Sequence, residues 1–315
     1  MYSNLSTYHF WRTFIIVLLL FITGCKGYQP IEVKKEKIGD IEMAYYIRGN
    51  GPPLLMIMGF RGTMSIWDPA LLEELEKHFT LILFDNRGAG LSSDTKENLT
   101  TIPQMAQDTV HLIEALRFEK VHVLGWSMGS RIALELAIKH PQVVDHLILC
   151  SPNPGGQEQA RRRSRAYEEL TSLHLSKQKA LSLLYPDTPQ GHLASATFIA
   201  RLTQAITTGQ VPHDLEMRDQ TVERQVHALK LWDQSNGYYE ALPHIQVPTL
   251  VMGGLSDVLD QPENAKIVAC QIPFAWAAYF EGAGHAFLSQ DHKRCADLIS
   301  LFIESKDEHS AYLIK

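Results

Sequence analysis

Ser127 is the residue best placed to do chemistry, because it lies in Gly125-Trp126-Ser127-Met128-Gly129. A run of strand-formers, Val121 to Leu124, leads into it, and a helical pattern, Arg131 to Ala137, leads out. A strand-to-helix corner forces such a serine into a strained backbone, and bulky residues at the flanking positions would clash. The strain holds the hydroxyl at the top of a sheet, within reach of a base. The amide of Met128 then sits at a helix N-terminus, aimed at developing negative charge. The chemistry implied is nucleophilic attack on a carbonyl, which also needs a base, an acid and a second oxyanion donor.

A base is expected in a loop at the sheet's C-terminal edge. His285, in Glu281-Gly282-Ala283-Gly284-His285-Ala286-Phe287, follows the last expected strand. Its glycines give the loop freedom to carry the imidazole over Ser127. The other reading is a solvated loop histidine, and the chain has 14 histidines in all. His122 and His146 fall on strands, where a structural role is usual, and no Cys/His spacing resembles a zinc site. Asp257, in Gly254-Leu255-Ser256-Asp257, directly follows another strand and could orient His285. Asp260 competes, but it lies farther from the strand end and suits a helix cap. The second oxyanion donor is expected in Met58-Gly59-Phe60-Arg61-Gly62, where Gly59 permits close approach and the Phe60 amide would point at the site. Asp85 and Arg87 read as loop ties.

These residues need a sheet to hold them. Ile31–Ile38 and Ile41–Ile47 alternate as an antiparallel pair. Leu54–Met58 and Leu81–Phe84 are continuous apolar runs, as strands buried on both faces should be. Helical patterns follow each, over 67–78 and 105–116, then strands at 121–124 and 146–149 flank the helix 128–140. The α/β alternation predicts a mostly parallel sheet covered on both faces. It stops at Asn153. From there to Ile245 the chain is polar and helical, read as a cap inserted before the strand Pro248–Met252. A helix over 263–270, a strand over 275–280 and a helix over 295–304 complete the expected core.

The whole constellation resembles the α/β-hydrolase fold superfamily. Asp85-x-Arg87-Gly88-x-Gly90-x-Ser92, Gly125-x-Ser127-x-Gly129, Gly254-x-x-Asp257 and Gly282-x-Gly284-His285 match it in order, across about residues 31–304. The resemblance implies a core in two parts, 31–152 and 246–315, around a helical cap, 153–245. It implies a triad of Ser127, His285 and Asp257, with oxyanion contacts from the Phe60 and Met128 amides and no cofactor or metal. One departure is Met58-Gly59 where the family commonly has His-Gly. The expected activity is hydrolysis of a small-molecule carboxylic ester or lactone through an acyl-enzyme. The alternatives on the same triad are a carbon–carbon bond hydrolase, a cofactor-free haloperoxidase-like enzyme, or a low-turnover ligand sensor. A serine nucleophile disfavours the dehalogenases and epoxide hydrolases, which use aspartate.

The 315 residues are 45% hydrophobic and 20% charged, ordinary globular composition with enough apolar content for a sizeable core. A net charge of −6 argues against nucleic-acid binding. The N-terminus differs. The apolar run Phe14–Ile22 is short for a bilayer span, which takes about 20 residues, and has the length of a signal-peptide core. Ile22-Thr23-Gly24-Cys25 resembles a lipobox of bacterial lipoproteins. Residues 1–24 are thus expected to be a signal peptide, with Cys25 lipidated and 25–30 a tether of roughly 15–20 Å at about 3.3 Å per residue. The expected location is an exported, membrane-held domain at the outer membrane, periplasmic side or cell surface. Cys150, Cys270 and Cys295 read as separate thiols, although Cys270 and Cys295 could pair. Arg61 and the run Arg161-Arg162-Arg163-Ser164-Arg165 read first as solvent-facing, the latter as a helix face. The sharper readings are steering of an anionic acyl group by Arg61 and contact of the run with anionic head groups.

Overall fold

The computed structural model describes residues 30–95, 100–305 and 313–314. The leader and Cys25 lie outside the described residues. Nine strands form one sheet: β1 (Lys34–Ile38), β2 (Ile41–Gly49), β3 (Pro53–Ile57), β4 (Thr80–Phe84), β5 (Val121–Trp126), β6 (Val144–Cys150), β7 (Thr249–Gly254), β8 (Trp276–Phe280) and β9 (Leu313–Ile314). Their order is β1-β2-β4-β3-β5-β6-β7-β8-β9. The β1–β2 and β2–β4 pairings are antiparallel and the other six are parallel. This is the mostly parallel α/β sheet the alternation predicts.

Side chains leave successive strand residues on opposite faces. Leu55 and Ile57 of β3 therefore enter one core with Ile82, Val123, Leu147 and Val251. Helices α2 (Ile102–Ala115), α3 (Met128–Lys139) and α9 (Pro262–Gln271) cover that face. Leu54 and Met56 enter the other core with α1 (Pro69–Leu75) and α11 (His292–Glu304). A first turn with proline and an Asp68 side chain accepting from the Ala70 amide starts α1, so the helix is shorter than the 67–78 pattern suggests.

Between β6 and β7 run α4 (Ala166–Leu170), α5 (Lys177–Leu184), α6 (Pro189–Thr207), α7 (Asp219–Asp233) and α8 (Gly237–Ala241), with no strand among the described residues. Two details depart from the sequence reading. The arginine run precedes α4 rather than forming a helix face. Arg162 pairs with Asp233 at 2.8 Å and Arg163 with Glu263 at 2.8 Å, so long-range ion pairs shape that loop. A short helix α10 (Phe287–Gln290) and the edge strand β9 were not expected. The described cysteines Cys150, Cys270 and Cys295 are free thiols.

Candidate active site

Parallel strands bring their C-terminal ends to one edge, and ligands of open α/β sheets bind in the crevice there. Here β3 leads to Gly59-Phe60, β5 to Ser127, β6 to Ser151, β7 to Asp257 and β8 to His285. Ser127 joins β5 to α3 with φ 58° and ψ −117°, a strained conformation for a residue with a Cβ. The turn closes only because both flanking residues are glycine. A Cβ on Gly125 would run into the Gly129 carbonyl, and one on Gly129 into the Ile57 carbonyl. Met128 is the first residue of α3, so its amide has no acceptor within the helix. The Gly59 loop lies against this corner: a Cβ there would stand 2.9 Å from the Trp126 carbonyl and 3.1 Å from Ser127 Cβ. The Asn86 side chain donates to the Met58 carbonyl at 3.1 Å, and Asp85 accepts from the Met64 amide at 2.7 Å and the Leu91 amide at 2.9 Å. Asp85 is thus a loop tie, and burial, against those two hydrogen bonds, raises its pKa to about 7. Arg87 ties Asp108 and Asp40.

His285 Nδ1 stands 2.7 Å from Asp257 Oδ2. The same oxygen accepts from Ser151 Oγ at 2.9 Å, and Oδ1 accepts from the amides of Leu259 at 2.8 Å and Asp260 at 3.1 Å. Three donors besides the imidazole fix the carboxylate, and the carboxylate fixes the imidazole. Trp126 completes the mount. Its Nε1–H donates to the His285 carbonyl at 3.0 Å, and its ring lies 5.6 Å from the imidazole. The Ser127 hydroxyl makes no hydrogen bond to His285 among the described residues. His285, Asp257 and Ser127 are all buried, at 3%, 4% and 9% exposure. Burial opposes charging His285. The charge and hydrogen bond of Asp257, with Asp260 behind them, outweigh it, and the pKa is raised above 6.5.

Asp260 is neither the partner of His285 nor a helix cap, since Gln261 stands at the N-cap of α9 without a side-chain bond. Asp260 pairs with Arg131, one turn into α3, at 2.8 Å, and accepts from Asn153 at 3.1 Å. Burial opposes ionisation of Asp260, but Arg131 prevails and lowers its pKa. The pair lines the Ser127 pocket together with Phe60 and Tyr167. Arg131→Met strands a buried carboxylate and is expected to cost about 3–5 kcal/mol. Combining it with Asp260→Asn is expected to recover most of that loss. Chemical denaturation measures both, and a single-variant loss below about 1 kcal/mol would show that the pair matters little. Neither Ser151 nor Arg131 stands out in the sequence. A serine directly after β6, at the same edge as the other strand ends, was the available signal. Arg61 donates to the Ser172 carbonyl at 2.6 Å, and its amide donates to Gln225, so it ties the Gly59-Phe60 loop to the inserted helices.

Beside the corner is an apolar cavity of about 250 Å³. Its lining includes Trp126 and Ala286, the chain neighbours of Ser127 and His285, together with Trp67, Leu181, Phe198 and Leu288. That is slightly below the ~300–1,000 Å³ typical of drug-sized ligand sites.

A sheet of this order with these loops at its C-terminal edge is that of a hydrolase of the α/β type. The chain belongs to the α/β hydrolase fold family, whose family model matches residues 52–288. It is 26% identical over 284 residues to a pyrrolizixenacetamide deacetylase of Xenorhabdus hominickii, covering 87% of this chain and 99% of that protein. It is also 26% identical over 254 residues to a Yersinia enterocolitica protein provisionally named carbamate hydrolase RutD, covering 78% of this chain and 86% of the relative. Among solved structures, an α/β hydrolase fold protein from Chitinophaga pinensis superposes with a TM-score of 0.77 at 23% identity, over 87% of this chain and 98% of that one. Esterase RhEst1 from a Rhodococcus species gives 0.69 at 20%, over 88% and 99%. At those identities the structures establish the fold alone.

Proposed function

We propose that this hydrolase cleaves small carboxylic esters or lactones through an acyl-enzyme on Ser127. The observation that carries the reading is the Asp257–His285 couple, at 2.7 Å, on the sheet edge that also holds the strained Ser127. Ser127 Oγ adds to the substrate carbonyl while its proton passes to His285 Nε2. The amides of Met128 and Phe60 hold the oxyanion, each worth about 3 kcal/mol by analogy with other hydrolases. The adduct collapses, and His285 returns the proton to the departing alkoxide. A water then repeats the sequence on the acyl-serine, releasing the acid. The apolar cavity suits a small apolar acyl or alcohol group. A panel of esters, lactones and amides tests this: multiple turnover of small apolar esters or lactones supports it, and turnover confined to amides or carbamates contradicts it.

His285 must be neutral to accept the proton. Its raised pKa therefore places the acid limb of kcat/KM above pH 6.5. A pH profile with that midpoint at or below 6.5 would contradict the role given to Asp257.

We also propose that the domain is exported and held to a membrane by lipid on Cys25. The Ile31 amide donates to the Gly209 carbonyl at 2.8 Å, just past α6, and α6 exposes Leu193 and Ile199 at 68% and 47%. A tether entering there would turn the inserted helices toward the bilayer. Expression in a bacterial host with an alkyne-tagged fatty acid is expected to label the chain, with residues 1–24 removed and the lipid on Cys25. An intact leader or an unmodified Cys25 would refute this.

A further inference from the structure

His122, Asp145 and His146 meet at the edge of the sheet opposite Ser127, near the starts of β5 and β6. Adjacent strand residues normally point to opposite faces, so Asp145 and His146 should not share a partner. A register shift makes them do so. Val121 pairs with Val144 and Val123 with Leu147, so β6 places two residues opposite the single His122. Bulges of this kind re-aim side chains and are rare between parallel strands.

The three side chains converge without satisfying one another. His122 Nδ1 lies 3.3 Å and His146 Nδ1 3.4 Å from Asp145 Oδ2. Yet both ring nitrogens are buried and make no hydrogen bond among the described residues. The His122 side chain is 93% buried, as its 7% exposure shows. Bonds of about 2.0–2.1 Å to a tetrahedral Zn²⁺ put neighbouring donors about 3.3–3.4 Å apart. The two separations to Asp145 match such edges, and one donor atom from each of the three residues lies within 4.8 Å of the others. The rings are held in place by Phe79 against His122 and Phe302 against His146. Asp145 is 46% exposed and, with His146, borders a hollow shared with Lys120 and Glu304, which gives an ion a way in.

We propose that His122 Nδ1, His146 Nδ1 and Asp145 bind a divalent transition-metal ion of the Zn²⁺ class. Two imidazoles and one carboxylate suit Zn²⁺, Ni²⁺ or Cu²⁺ and disfavour Mg²⁺ and Ca²⁺. Three protein ligands leave a fourth position for water or a small ligand. The ion would clamp the starts of the two strands whose far ends lead to Ser127 and Ser151. This site is independent of the esterase reading.

The test is equilibrium dialysis with Zn²⁺, and thermal unfolding across a Zn²⁺ titration, on the full chain stripped with chelator. The expected result is one bound Zn²⁺, with an unfolding midpoint that rises with Zn²⁺ as mass action requires and does not respond to Mg²⁺. The Asp145→Asn/His146→Gln double variant, altered at partly exposed positions, is expected to bind Zn²⁺ at least tenfold more weakly with an unchanged metal-free midpoint. Equal Zn²⁺ affinity in parent and double variant, or no binding by the parent at micromolar Zn²⁺, would overturn the proposal. A lowered metal-free midpoint would assign the three residues to the fold instead.

Discussion

Ser127→Ala is expected to lower kcat/KM for a hydrolysable ester by about 10⁴-fold or more while leaving the unfolding midpoint nearly unchanged. Losses of that order follow removal of a serine nucleophile, and the residual rate reflects the oxyanion donors and binding alone. The strained φ of 58° belongs to the turn and not to the hydroxyl, so alanine inherits the same backbone. The fold should therefore survive, and active-site binding of a product acid should be kept. Steady-state kinetics with a titrated active-site concentration measure the effect. A loss smaller than tenfold would remove Ser127 from the chemistry.

The second large effect is expected at Asp257. An asparagine there is nearly isosteric, but its two ends differ. Oδ1 receives the amides of Leu259 and Asp260, which require an acceptor. The carboxamide oxygen must stay at that end, so its NH₂ faces His285 Nδ1. The imidazole then has to accept at Nδ1 and carry its proton on Nε2, where it cannot act as a base. By analogy with the same exchange in a serine protease, Asp257→Asn is expected to lower kcat by about 10⁴-fold. The variant should also lose the acid limb that the Asp257 charge places above pH 6.5. A variant within tenfold of the parent would show that another group, such as Asp260, whose charge also acts on the imidazole, orients the histidine.

The features legible in the sequence are those imposed locally. Leu54–Met58 and Leu81–Phe84 announce buried strands because both of their faces are covered. Gly125 and Gly129 announced the corner because no side chain fits at either position. The order of Ser127, Asp257 and His285 is readable because each lies at or shortly after the C-terminal end of a strand. What escaped is held by contacts distant in the chain. Ser151 reaches Asp257 across 106 residues and Arg131 reaches Asp260 across 129, and no spacing rule links either pair. The arginine run reads as a helix face in the sequence because its ion pairs to Asp233 and Glu263 are also remote, 71 and 100 residues away. The meeting of His122 with Asp145 and His146 was hidden for a related reason. Strict alternation sends Asp145 and His146 to opposite faces, and only the register shift in β6 cancels it.

The central claim, that Ser127 carries the acyl group, is tested most directly by mass spectrometry of protein acid-quenched during turnover of a small apolar ester. The account predicts a substrate-derived acyl group on the peptide containing Ser127, absent from the Ser127→Ala variant and longer-lived in Asp257→Asn. Turnover with Ser127 unmodified, or an acyl group on any other residue that disappears at the catalytic rate, would contradict it.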